Sequence, residues 1–149
     1  MTSLKVGDKA PDFSVLNQDE QTVSLSDFTG KKLVLFFYPK ASTPGCTAEA
    51  CNLRDNVDRF RAGGYEILGA SADSPKRQKN SQTKYELPYD LLADEDHSLL
   101  NAFQVWGPKK FMGKEYDGIH RTTFVIDENG IISDVIQKVK TKDHAAQIL

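Results

Sequence analysis

Apolar and polar positions change their period several times along this chain, and each change marks an element. Residues 13–16 and 21–25 are rich in apolar side chains and flank the polar turn 17–20, which reads as a β-hairpin; residues 26–30 make a short turn. Residues 33–38 are apolar without a break between Lys31-Lys32 and Pro39, the pattern of a central strand covered on both faces. After the loop 39–45 the period becomes helical: Ala50, Leu53, Val57 and Phe60 share one stripe, and Gly63-Gly64 stops it. Residues 65–71 are the next strand. Asp73 and Ser74 are N-cap candidates, with Pro75 opening a second helix that runs to about Glu86. A short strand at 90–93 and a short helix at 97–103 follow, then a long loop or hairpin at 106–119. Residues 122–126 and 131–139 bracket 127–130, whose Asn129-Gly130 is a hairpin signal. A last helix begins near Thr141 and is cut short at Leu149. This order predicts an α/β layered sheet with parallel βαβ units and an antiparallel hairpin at one side. In such a sheet the site lies beyond the carboxyl end of a central strand, which here is the loop 39–46.

Composition narrows the function. The 149 residues predict one domain spanning 1–149, against a prior of about 150 residues per domain, with no repeat or linker. Nineteen Lys and Arg against twenty-one Asp and Glu give a net charge of −2, which argues against a nucleic-acid binder. The apolar run 33–38 is far short of the ~20 residues that span a bilayer, and the first nine residues carry no signal-peptide pattern. The expected location is the cytoplasm. Two cysteines are too few for a disulfide scaffold; in a reducing compartment such a pair points to redox chemistry or metal binding.

Cys46 falls where the loop after the central strand becomes a helix, preceded by Thr43, Pro44 and Gly45. First-turn positions favour a thiolate, because unpaired N–H groups and the positive end of the helix dipole face it. The competing reading is a buried, inert cysteine. Cys51 follows five residues later. On a continuous α-helix that spacing separates the Cα atoms by roughly 8.7 Å, beyond the ~7 Å limit for a disulfide. The pair therefore bonds only if the first turns unwind; otherwise Cys51 is a small apolar residue packed beneath the helix. A zinc site is disfavoured, with no Cys-x-x-Cys and with His97, His120 and His144 scattered.

The segment Tyr38-Pro39-Lys40-Ala41-Ser42-Thr43-Pro44-Gly45-Cys46-Thr47-Ala48-Glu49-Ala50-Cys51 resembles the active-site segment of peroxiredoxins, in the bacterioferritin comigratory protein or Q-type subfamily. Gly7-Asp8-Lys9-Ala10-Pro11-Asp12-Phe13, Trp106-Gly107-Pro108 and His120-Arg121-Thr122-Thr123-Phe124 extend the likeness over nearly the whole chain. The resemblance implies a thioredoxin-like α/β fold, a central mixed sheet flanked by helices with an N-terminal hairpin. It also implies a thiol peroxidase without metal, haem or other cofactor. By it, Cys46 is the peroxidatic cysteine, attacking hydrogen peroxide or an organic hydroperoxide, and Cys51 the resolving cysteine that forms a disulfide with it. Thr43 bonds the peroxide, Arg121 holds the thiolate and the reacting oxygens, and Pro39 shields the site from water. Glu49 orients Arg121, with Gly45 as a supporting residue of the motif. Thioredoxin, or glutaredoxin, is the implied reductant, and the subfamily implies a monomer.

Blander roles compete: a turn residue for Thr43, a strand terminator for Pro39, a surface ion pair for Arg121, a dipole partner for Glu49. Trp106, Phe111 and Tyr116 are expected to pack as loop anchors, and the three histidines to lie at the surface. Arg77-Gln78 and Ser81 make the second helix more polar than in related chains, and Ser42 stands where those often carry Met. Two alternative functions share the fold: a protein thiol–disulfide oxidoreductase, which would be expected to carry Cys-x-x-Cys, and a copper-binding module using both cysteines and a histidine.

Overall fold

In the computed structural model, which describes residues 2–149, five strands form a central sheet in the order β5-β4-β3-β8-β9. These are β3 (Lys32–Phe37), β4 (Tyr65–Ser71), β5 (Asp90–Ala93), β8 (Thr122–Ile126) and β9 (Ile132–Ile136). β4 lies parallel to β3 and β5, whereas β8 runs antiparallel to β3 and β9, so the sheet is mixed. The unbroken apolar run thus became the middle strand. Its period of two divides the core: Leu33, Leu35 and Phe37 point to one face with Leu99, Phe103 and Phe124, and Val34, Phe36 and Tyr38 to the other with Leu53, Phe60 and Leu91.

The first face is covered by helix α4 (Ser98–Ala102) and by the N-terminal hairpin of β1 (Ser14–Leu16) and β2 (Thr22–Ser24), whose Val15 and Val23 are buried. The second face carries α1 (Pro44–Asp55), α2 (Val57–Ala62) and α5 (His144–Ile148). Helix α3 (Pro75–Lys84) joins β4 to β5; Ser74 caps it by accepting the Arg77 N–H at 3.2 Å. None of these helices is long and apolar enough to cross a membrane.

Three expectations are revised, and of the loop or hairpin left open at 106–119 it is the hairpin that forms. The helical stripe ending at Gly63-Gly64 is two helices, broken at Asn56, whose side chain donates to the Asn52 carbonyl at 2.8 Å in place of continuing the ladder. The turn at 26–30 is mostly a 3-10 helix, Leu25–Phe28. Residues 106–119 form a hairpin, β6 (Trp106–Phe111) and β7 (Lys114–Ile119), turning at Met112-Gly113 with both residues at positive φ. Phe111 and Tyr116 are not anchors: they are 66% and 49% exposed, and only Trp106 packs, its ring 4.1 Å from that of His97.

Candidate active site

Helix α1 starts two residues before the first thiol. Thr43 is its N-cap in extended conformation and Pro44 its first residue, so the loop after β3 turns directly into the helix and places Cys46 in the first turn. Cys46 is nonetheless buried, 4% exposed, among Tyr38, Ala41, Ala50 and Leu91. The burial that belonged to the competing, inert reading is thus present, and the sulfur sits at the rim of the second core.

That sulfur is not surrounded by hydrocarbon alone. Arg121, between β7 and β8, donates from Nη2 to Cys46 Sγ at 3.3 Å and from Nη1 to Glu49 Oε1 at 2.6 Å. Glu49 is one helical turn beyond Cys46 and fully buried. Burial raises its carboxyl to about 7, although Arg121 pulls the other way. Burial disfavours the Arg121 charge, but Glu49 and Cys46 outweigh it and raise the pKa of the guanidinium. Gly45 lies against this guanidinium; a Cβ there would meet Nη2 at 3.4 Å.

The remaining expected residues are spread around this pair. Thr43 donates from Oγ1 to the Lys40 carbonyl at 2.8 Å, leaving its oxygen lone pairs uncommitted. Pro39 is exposed and lines a groove of about 320 Å³ with Trp106, Lys109 and Tyr116, which does not include Cys46. Cys51 is half-buried on the same helix as Cys46, and both thiols are free. No group of three or more His, Cys, Asp or Glu among the described residues is arranged to hold a metal ion.

Residues with no expected role complete the surroundings. The polar α3 turns its hydrophilic side inward: Gln78, fully buried, accepts from the Tyr38 hydroxyl at 2.6 Å and donates to Ser71 Oγ and to the Leu92 carbonyl. Asp73 accepts from the Ala41 N–H at 2.7 Å and from Ser71 Oγ at 2.6 Å, tying the loop before Cys46 to β4. His144 is fully buried, against the surface expectation, with Nε2 3.5 Å from Glu49 Oε2. Asn52 accounts for this: it donates to the Lys142 carbonyl and accepts from the Ala145 N–H at 2.8 Å, folding α5 onto α1.

Comparison with known proteins agrees with this arrangement. The AhpC/TSA family model matches residues 6–135. A Haemophilus influenzae protein carrying the bcp peroxiredoxin name is 52% identical over 149 residues, covering 100% of this chain and 96% of that protein. Peroxiredoxin Bcp of Escherichia coli K12 is 48% identical, with the same 100% and 96% coverage. Among solved structures, a Cys-to-Ser mutant of Xanthomonas campestris peroxiredoxin Q superposes with a TM-score of 0.88 at 33% identity, covering 99% of this chain and 94% of that one. With a buried thiol beside a guanidinium at the end of a central strand, and with relatives of this kind along its whole length, the chain belongs to the AhpC/TSA family, as a thiol peroxidase of the Bcp and peroxiredoxin Q type.

Proposed function

We propose that Cys46 is the peroxidatic residue and Cys51 the resolving one. The Cys46 thiolate attacks the O–O bond of a peroxide, giving a sulfenic acid at Cys46 and an alkoxide or hydroxide that leaves as alcohol or water after taking a proton. The Cys51 thiol then displaces hydroxide from the sulfenic acid, which leaves as water and forms the Cys46–Cys51 disulfide. A thioredoxin-type dithiol reduces that disulfide and is itself oxidised. The observation that carries the reading is the guanidinium of Arg121 in contact with both Cys46 Sγ and Glu49.

Most of the roles have a physical support. Arg121 offers fixed N–H donors where charge moves from sulfur to oxygen. Glu49 fixes the guanidinium plane by its 2.6 Å contact. Thr43, with free lone pairs, accepts the peroxide O–H, and the shielding of the sulfenic acid by Pro39 rests on the family resemblance. Both cysteines lie in α1, so the disulfide requires this helix to unwind first. We further propose that residues 1–149 act as one domain, as a monomer in the cytoplasm, on hydrogen peroxide and organic hydroperoxides, with thioredoxin rather than glutaredoxin as reductant.

Intact mass after one equivalent of peroxide tests the assignment. The wild type should lose two hydrogens, Cys51→Ser should gain one oxygen, and Cys46→Ser should be unchanged. Equal loss of the first oxidation in both variants would refute the division of roles.

A further inference from the structure

One buried group facing the site has no part in the reaction as described. His144 opens α5, and Gln147 decides which of its nitrogens carries the proton. Gln147 Nε2 donates to the Lys138 carbonyl at 2.9 Å, and its Oε1 accepts the Lys140 N–H at 2.9 Å, so the oxygen is the atom 2.7 Å from His144 Nδ1. An amide oxygen only accepts; Nδ1 therefore donates, and neutral His144 keeps its lone pair on Nε2. Nε2 receives the Thr123 hydroxyl at 2.7 Å and lies 3.5 Å from Glu49 Oε2. That oxygen is buried without any hydrogen-bond donor. A buried carboxyl oxygen without a donor thus faces a nitrogen whose one lone pair the Thr123 hydroxyl also claims, and a proton on Oε2 relieves that oxygen by competing for the same lone pair.

We propose that Glu49 and His144 hold one proton between Oε2 and Nε2, that its presence sets how much of the Arg121 charge is left for Cys46, and that His144 is thereby a positioning residue for peroxide reduction. This rests on the role given above to Arg121. With the proton in place, one guanidinium balances one thiolate. Without it, the same guanidinium faces two anions, and like charge disfavours the thiolate.

The other groups turned towards this pair do not supply the proton differently. Tyr89 faces Glu49, but it is buried, protonated and donates to the Ala50 carbonyl at 2.8 Å. Lys109 on β6 faces Arg121 and Cys46 and donates to the Ile119 carbonyl. Arg121 faces both members of the pair. Burial brings Glu49 to about 7 and lowers His144 from its ordinary 6.5, so near neutral pH the proton rests on the carboxyl.

The test is the pH profile of the rate constant for reduced, full-length protein with hydrogen peroxide. In the wild type a falling limb should follow loss of the shared proton near neutral pH, and Glu49→Gln should lack that limb. His144→Phe should move the limb down by about one pH unit, the equivalent of one ordinary hydrogen bond to the protonated acid. Thr123→Val, which removes the competing hydroxyl, should move it up. A limb that persists in Glu49→Gln, or that Thr123→Val leaves in place, overturns the proposal even if His144→Phe does not fold. A second readout needs no turnover: nitrogen-15 NMR of His144 should show the Nδ1–H tautomer, with a titration that changes in Glu49→Gln. An Nε2–H tautomer, or no change, refutes proton sharing, whereas absent peroxidase turnover with the expected NMR result refutes only the functional reading on which it rests.

Discussion

Replacing Arg121 by Met removes the guanidinium while keeping an unbranched apolar stem. In the native site its two terminal nitrogens make contacts of 3.3 Å to Cys46 Sγ and 2.6 Å to Glu49 Oε1. Removing one fixed donor aimed at developing charge costs about 2.7–4 kcal/mol of transition-state stabilisation, or about 10²–10³ in rate. Glu49, left buried without the cation that opposes its protonation, holds its proton to higher pH, so no compensating anion accumulates at the site. The second-order rate constant for peroxide should therefore fall about 10²–10³-fold. Arg121→Lys should recover only part of this, because one ammonium cannot reproduce the planar fork that reaches sulfur and carboxylate together. Stopped-flow fluorescence of Trp106, the single tryptophan, in single-turnover oxidation would follow the step, with urea unfolding as a check that each variant is folded. A rate for Arg121→Met within about tenfold of wild type, worth only about 1.4 kcal/mol, would refute the part assigned to the guanidinium.

Two further outcomes follow from buried contacts. The folded Glu49 carboxyl, at about 7 against an ordinary 4.5, binds its proton more tightly than in the unfolded chain; the stability it contributes is full below about 4.5 and lost as pH rises through 7. Urea midpoints across that range should show Glu49→Gln missing a decline of about 3 kcal/mol that the wild type shows, and parallel curves would contradict the value. Gly69 on β4 has no room for a side chain: a Cβ would stand 2.8 Å from Leu91 Cδ2 and 2.9 Å from Phe36 Cζ. Gly69→Ala should cost about 1–3 kcal/mol by overpacking, and an unchanged Tm would show that the core yields more readily than its packing suggests.

How far the sequence could be read depended on whether a residue's surroundings were local. The strand read at 33–38 and the thiol in the first turn follow from neighbours in the chain, and both stand within one residue of where the pattern placed them. Glu49 was readable as an acid one turn into the helix, and its pairing with Arg121 came from family resemblance rather than from spacing. His144 was not readable: it follows the polar stretch Thr141-Lys142-Asp143, and only the grip of Asn52 on α5, from more than ninety residues away, buries it. The second helix was legible only as polar; that its Gln78 satisfies Tyr38, Ser71 and the Leu92 carbonyl inside the protein depends on strands distant in the chain. Phe111 and Tyr116, expected as loop anchors, are instead carried outward by a hairpin that the sequence did not distinguish from a long loop.

The interruption at Asn56 has a consequence for the redox cycle. Because α1 ends there and α2 is pinned separately by Phe60, fully buried beneath it, the segment bearing both thiols can melt without dragging the next one from its seat. Slack is thus let out over a single short stretch, closed at its far end by a joint. An uninterrupted rod through Ala62 would have to fray against the anchorage of Phe60 each time the two sulfurs met.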